Sequence, residues 1–411
     1  MTTVAHYTMS APRATAPVER PTAPRVQILG IRGVPNRHGG FEAFAEDLSR
    51  HLVAAGWEVT VYCQEEFPGH GESPESPWET RWEGVRRVHV PVRQAGALGT
   101  IVFDWRCTRL ATADPEAGLP LVLGYNTGAF CAAYRLRGRP CVLNMDGLEW
   151  KRAKYPLASR IWLYLNEWLG CLIANHLVAD HPEVARHLVR HGFARNRVTT
   201  IPYGARRVQG VATEPLAAFG LKPDRFAVLI ARPEPENSIL QMVRAWSSRP
   251  RQMPLVVLGG YAHDVEYQRL VLQAAGPDVF FVGAIYDAPV VDALRSHARF
   301  YVHGHTVGGT NPSLVQALGA GTPVLAHDNP YNRWVCGPAA GRFFVDEESC
   351  AAAMDMLLSP ESDDVRAAMR AAAWRRHAEA FTLAHTLGAY EALLRRWVSL
   401  AHTVAAREQP A

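Results

Sequence analysis

The chain has 411 residues, 48% of them hydrophobic, and a formal net charge of +4 at pH 7. That length suggests two domains, and that hydrophobic content is enough for a well-formed core in each. The charge is small and not blocked into one tail, so nucleic-acid binding is not indicated, while weak attraction to anionic lipid is compatible with it. Seven cysteines, an odd count with no C-x-x-C pair, read as scattered core thiols in a reducing compartment. Residues 1–24 are rich in Ala, Thr and Pro and lack the apolar stretch of a signal peptide, so a disordered leader is expected. The longest apolar stretch, Ile161 to Ala179, is broken by Asn166, Glu167, Asn175 and His176, so no membrane-spanning helix is expected. These signs favour a cytoplasmic protein, with at most a peripheral contact at the inner face of the plasma membrane.

Val26 to Gly30 reads as a buried strand, and Phe41, Phe44, Ala45, Leu48 and Leu52 then recur at helical spacing. Gly56 closes that helix, and a strand resumes at Trp57 to Tyr62. This is a β–loop–α–β unit of doubly wound type. Residues 66–82 look like an exposed loop, and further strands are expected at 85–92, 119–124, 140–144, 176–180 and 198–202. Mixed small and charged residues at 205–223 suggest a linker. Strands then restart at 226–230, 254–259, 279–282, 300–302 and 323–326, with helical patterns between them, notably Ala288 to His297 and Ser313 to Leu318. The expected fold class is α/β: two parallel-sheet, Rossmann-like domains, 25–204 and 224–382, facing a cleft. Residues 383–411 form a last helix and tail expected to pack back on the first domain.

Two glycine-rich turns, each between a strand and a helix, carry most of the functional information. One runs Gly30-Ile31-Arg32-Gly33-Val34-Pro35-Asn36-Arg37-His38-Gly39-Gly40, and the other Gly304-His305-Thr306-Val307-Gly308-Gly309-Thr310-Asn311-Pro312-Ser313. Free N–H groups and the positive end of the helix dipole make such a turn an anion site. The first lacks the dinucleotide fingerprint, so a nicotinamide site is disfavoured. Gly39-Gly40 alone is equally a tight turn; Arg32 alongside and the matching second turn favour a ligand. Arg232 follows a strand, at the ligand edge of a parallel sheet, where its guanidinium can grip a diphosphate through two parallel hydrogen bonds. Asn311 and Pro312 fit an N-cap and first helical position, which leaves Gly308-Gly309, His303 and His305 unexplained. Gln316, one turn on, could hydrogen-bond a ribose hydroxyl. Asp146 and Glu149 end a strand; Asp146 is preferred for sugar binding or base chemistry, and Glu149 is equally the N-terminal charge of the next helix. Trp150, Lys151, Arg152, Lys154, Tyr155, Arg160, Trp162, Tyr164 and Trp168 form a basic–aromatic cluster, read either as core with solvated charges or as a membrane-surface patch. No Asp/His metal cluster is evident along the chain.

The chain resembles the glycogen-synthase-like family 4 of retaining glycosyltransferases, which have the two-domain GT-B fold. It looks closest to the bacterial rhamnosyltransferases of capsule and exopolysaccharide synthesis. The resemblance rests on Arg32-Gly33-Val34-Pro35 with Gly39-Gly40-Phe41-Glu42, on Asn144 through Arg152, on Pro235-Glu236-Asn237, and on His303 through Leu314. It implies a nucleotide-diphosphate sugar, dTDP-rhamnose or a UDP-hexose, held mainly by the second domain. It also implies a saccharide or polyprenyl-linked acceptor on the first, near Arg32 and Glu149. Neither a cofactor nor a metal is implied. Gly39, Gly40, Gly308, Gly309, Thr310, Asn311 and Ser313 would then approach the donor phosphates. Arg232 would match the diphosphate-binding arginine, and Asp146 falls where many relatives place a histidine that contacts the donor sugar. Asn237 stands where the wider family has lysine, and Gly308 and Gln316 stand where it has two glutamates. Pro312 also removes one N–H from the second turn. Two other readings stand beside transfer: a sugar-nucleotide epimerase on the same scaffold, and a sugar-nucleotide-binding protein weakened in catalysis by Gln316.

Overall fold

The computed structural model describes residues 23–36, 39–66, 76–114, 118–192 and 195–408. The expected leader therefore lies almost wholly outside the described residues, as do Arg37 and His38 of the first glycine turn.

The first domain is built on β1 (Arg25–Leu29), β2 (Glu58–Glu66), β3 (Trp78–Trp82), β4 (Val85–Val92), β5 (Leu119–Leu123), β6 (Val142–Asn144), β7 (His176–Ala179) and β8 (Val198–Thr200). They form one sheet in the order β3-β4-β2-β1-β5-β6-β7-β8, parallel throughout except for β3, which runs antiparallel to β4 at the edge. The apolar runs are buried on both faces of the sheet, as a parallel sheet under helices requires. Val26 and Ile28 of β1 enter one core layer, and Leu29 enters the other. β3 corrects the expected loop at 66–82. Trp78 stacks on His89 of β4 at 5.0 Å between ring centroids, so cross-strand packing orders the end of a polar segment.

The second domain contains β9 (Ala227–Ile230), β10 (Leu255–Leu258), β11 (Val279–Phe281), β12 (Tyr301–His303), β13 (Val324–His327) and β14 (Gly341–Phe344). Its sheet is parallel, in the order β11-β10-β9-β12-β13-β14. The segment 205–223, read as a linker, is drawn into this domain: a short helix at Glu214–Phe219 buries Leu216 in its core.

Two chain crossings join the domains side by side. Ala205 pairs with Thr382, its N–H donating to Phe381 O at 2.9 Å and its carbonyl accepting from Leu383 N at 3.0 Å. The helix Leu383–Glu408 then returns to the first domain, where Leu387, Tyr390, Leu393 and Leu394 join the core that holds β1.

Candidate active site between the two sheets

In each sheet the strand order reverses once, between β1 and β5 and between β9 and β12. Ligands of doubly wound sheets bind in the crevice beyond the carboxyl ends of strands at such a point. The first glycine turn leaves β1, Arg232 follows β9, and the second glycine turn leaves β12. The sequence signals thus converge on the two switch points.

On the first-domain side, Gly30 has φ +82°, and a Cβ there would lie 2.2 Å from Leu123 O, so only glycine lets the chain leave β1 against β5. Asn36 Oδ1 accepts the Gly39 N–H at 3.2 Å, and Glu42 accepts the Arg32 N–H at 3.2 Å. Gly40 opens the helix Gly40–Ala54 and is exposed. A Cβ at Gly40 would find Pro312 of the second domain 3.7 Å away, so the two glycine turns face each other across the cleft.

Asp146 projects from the loop after β6 with φ +48°, a strained value for a residue with a side chain. Asn144 imposes it: its Oδ1 accepts the Asp146 N–H at 2.7 Å, while its Nδ2 donates to Tyr390 OH of the returning helix at 2.6 Å. Removal from water, reinforced by the Glu149 charge and opposed by Arg152 and Arg232, raises the Asp146 carboxyl to about 7. Glu149 itself is committed. It is buried, pairs with Arg152 at 2.6 Å, and its backbone N–H donates to Tyr125 OH at 2.7 Å. Arg152 reaches on to Glu236 of the second domain at 3.4 Å, and Lys154 to Glu234 at 3.6 Å. These members of the basic–aromatic cluster are interdomain ties.

On the second-domain side, Arg232 is exposed, and its charge acts on Asp146, Tyr155 and His305. Asn237 is buried and turned inward. Its Nδ2 donates to Arg232 O at 2.8 Å and its Oδ1 faces His305 Nδ1 at 2.7 Å. It shapes the Arg232 loop from the position where the resemblance places a donor-binding side chain. Burial, with Arg152 next in weight, depresses His305 to about 3, and burial does the same to His303, so both imidazoles are neutral core groups.

The second glycine turn is occupied by protein. Gly308 O lies 2.3 Å from where a Cβ on Gly147 would sit, and Gly308 packs on Leu148. Thr310 N–H donates to Asp180 Oδ2 at 2.7 Å, and Thr310 Oγ1 donates to Asp180 O. Gly309 has φ +108°, and a Cβ there would meet Asp180 Oδ2 at 2.6 Å. Asn311 Oδ1 accepts Ser313 N–H at 2.9 Å, and Ser313 Oγ accepts from Tyr301 OH at 3.0 Å. Thr310 and Ser313, assigned to the phosphates, are thus engaged within the protein, because a buried carboxylate and an N-cap reach their N–H groups first. Gln316 is exposed one turn after Pro312, on the helix face that Pro312 presents to Gly40.

Asp180 is the residue that sequence reading passed over; it appeared only as the end of a strand. Its carboxyl is raised well above the usual range by burial and by Asp146, and its Oδ1 is buried without a hydrogen bond. A polar residue closing an apolar strand was the available signal, but its partner is 130 residues away.

Two Rossmann-like sheets with the switch points facing each other are the GT-B arrangement. Residues 39–204 match the Glycosyl transferase 4-like domain. No curated protein matches the chain. Among solved structures, it is similar to the sucrose-phosphate synthase from Thermosynechococcus elongatus, with TM-score 0.75 and 18% identity over 92% of this chain and 100% of that one. It is also similar to Anabaena Alr3699/HepE in complex with UDP, with TM-score 0.68 and 13% identity over 90% and 100%. The E. coli trehalose-6-phosphate structure bound with UDP-2-fluoro glucose aligns with TM-score 0.68 and 12% identity over 90% and 98%. These likenesses establish the GT-B fold.

Proposed function

We propose that this protein is a retaining glycosyltransferase that moves a sugar from a nucleotide-diphosphate sugar to a saccharide acceptor. The observation that carries the reading is placement: Asp146 follows β6 and Arg232 follows β9, at the carboxyl ends of two parallel sheets, near enough for the Arg232 charge to act on the Asp146 carboxyl. In the proposed reaction the bond from the anomeric carbon to the diphosphate oxygen breaks, and the acceptor oxygen bonds to that carbon on the same face. The acceptor proton passes to the departing phosphate oxygen. Arg232 and the N–H groups at the start of Gly40–Ala54 meet the charge that develops on that phosphate, and the step uses no metal. Asp146 holds the donor sugar's hydroxyls. The preferred donor is dTDP-rhamnose, with a UDP-hexose second, on the motif resemblance. A thermal-shift screen of nucleotide sugars followed by transfer assays tests this. Stabilisation by a sugar nucleotide with transfer supports it, and stabilisation by none of them overturns it. Conversion of the donor sugar without acceptor would point to epimerisation instead, and binding without transfer would point to a catalytically weakened binder.

A second observation favours a lipid-linked acceptor. On the helix Leu157–Ile173, Leu157, Ile161, Leu165, Trp168 and Leu172 recur at intervals of three or four and are exposed, Leu157 by 69% and Leu172 by 58%. Arg135 is exposed at one end of this face, donating to Leu172 O at 3.3 Å. Among the described residues no helix is long and apolar enough to cross a membrane. A peripheral, interfacial contact with anionic bilayer is the corresponding proposal. It requires sedimentation with anionic vesicles at low salt, lost in Leu165→Glu/Leu172→Glu.

A further inference from the structure

Glu167 of the helix Leu157–Ile173, His187 of the helix Pro182–Arg190, and His191 just past that helix's end point their ligating atoms at one spot. Glu167 Oε1 lies 2.8 Å from His187 Nε2 and 2.9 Å from His191 Nε2, and the two Nε2 atoms are 3.1 Å apart. We propose that these three side chains form a binding site for one Zn²⁺ or a similar borderline divalent ion, with water as the fourth ligand.

Five features carry the assignment. The donor set, two imidazole nitrogens and one carboxylate oxygen, is one that zinc takes in four-coordinate sites with an open position. The size is close: tetrahedral bonds of about 2.0–2.2 Å place ligand atoms roughly 3.3–3.6 Å apart. The observed triangle is a few tenths of an ångström tighter, as hydrogen bonding among the same atoms would draw it. The carboxylate is held from behind, because Trp150 Nε1 donates to Glu167 Oε2 at 3.0 Å, leaving Oε1 for the imidazoles. The Glu167 side chain is only 1% exposed, whereas those of His187 and His191 are 22% and 12% exposed, so the pocket has a rigid floor and an open rim. The two histidines also lie at the carboxyl end of their helix, where the dipole favours a cation.

The ion would tie the two helices together and, through Trp150, brace the loop that carries Asp146 and Glu149. It lies outside the transfer chemistry proposed above and does not rest on it.

The test uses tag-free, full-length protein treated with a chelator and titrated with Zn²⁺ by calorimetry. The expected result is one site per chain with Kd of about 1 µM or tighter, weakened at least about tenfold by His187→Ala and by His191→Ala. Co²⁺ in place of Zn²⁺ should give the visible bands of a four-coordinate N/O site without the near-ultraviolet thiolate band of a cysteine site. Trp168, whose ring centroid is 4.6 Å from that of His191, should report binding as a fluorescence change. Absence of a saturable site, affinity unchanged in both folded variants, or a thiolate band would overturn the proposal. Should either variant fail to fold, the Co²⁺ spectrum of the unaltered protein decides.

Discussion

The two glycine turns look alike as sequence and differ as structure. Both follow a strand at a switch point and open a helix. The first presents Gly40 to the cleft with room beside it: the nearest atom to an added Cβ is 3.7 Å away. The second is filled, with Thr310 N–H on Asp180 and Gly308 against Gly147 and Leu148. Glycine serves ligand approach in the first and domain approach in the second. In this structure the Thr310 N–H, one of the donors that such a turn offers an anion, is engaged by Asp180 Oδ2.

The largest expected effect separates the cleft's charge from its packing. Arg232→Ala, at an exposed position, should lower kcat/KM by roughly 10²–10³ with little change in apparent Tm; near-normal turnover would remove Arg232 from the mechanism. Next, Gly309→Ala should cost roughly 2 kcal/mol, because it combines positive φ with a Cβ against Asp180. Thermal unfolding measures it, and an unchanged Tm would mean that the second turn is as open as the first.

Asp146 gives a signed pH test. Its folded value of about 7 lies above the roughly 3.9 expected of an unfolded chain. The folded state therefore binds the extra proton between those values, and stability falls as pH rises from about 4 to about 7. Asp146→Asn should raise the apparent Tm at pH 8 and match the parent near pH 4, while lowering turnover. An equal shift at both pH values would argue against the elevated pKa. The smallest effect on stability belongs to Gly40→Ala, which should leave Tm within about 1 °C, since alanine suits a helical position, yet weaken sugar-nucleotide binding several-fold by calorimetry. Equal losses in both readouts would erase the distinction between the turns.

Much of this was legible in the residues. Apolar runs alternating with helical spacing identify two parallel-sheet domains, since period and length are local properties. Glycines at the two turns, Arg232 after β9 and Asp146 after β6 locate a cleft because strand ends are readable and ligands gather there. What local pattern does not show is pairing between segments. Trp78–Trp82 reads as loop until His89 stacks on it. Nothing local in the sequence shows that Asn237 Oδ1 faces His305. Nor does it show that Asp180, from the other domain, accepts the Thr310 N–H. His187 and His191 are four residues apart, but Glu167 lies 20 residues before His187, so no local spacing joins it to the pair.

The sequence alone determined the doubly wound class, the two turns and the polar residues available at strand ends, because these follow from backbone propensity and hydrophobic period. Tertiary structure alone decided which of those polar groups remain available to a ligand. A buried N–H or carboxylate must find a partner, and which partner reaches it first depends on packing between segments distant in the chain, as with Asn237 and His305 or Thr310 and Asp180.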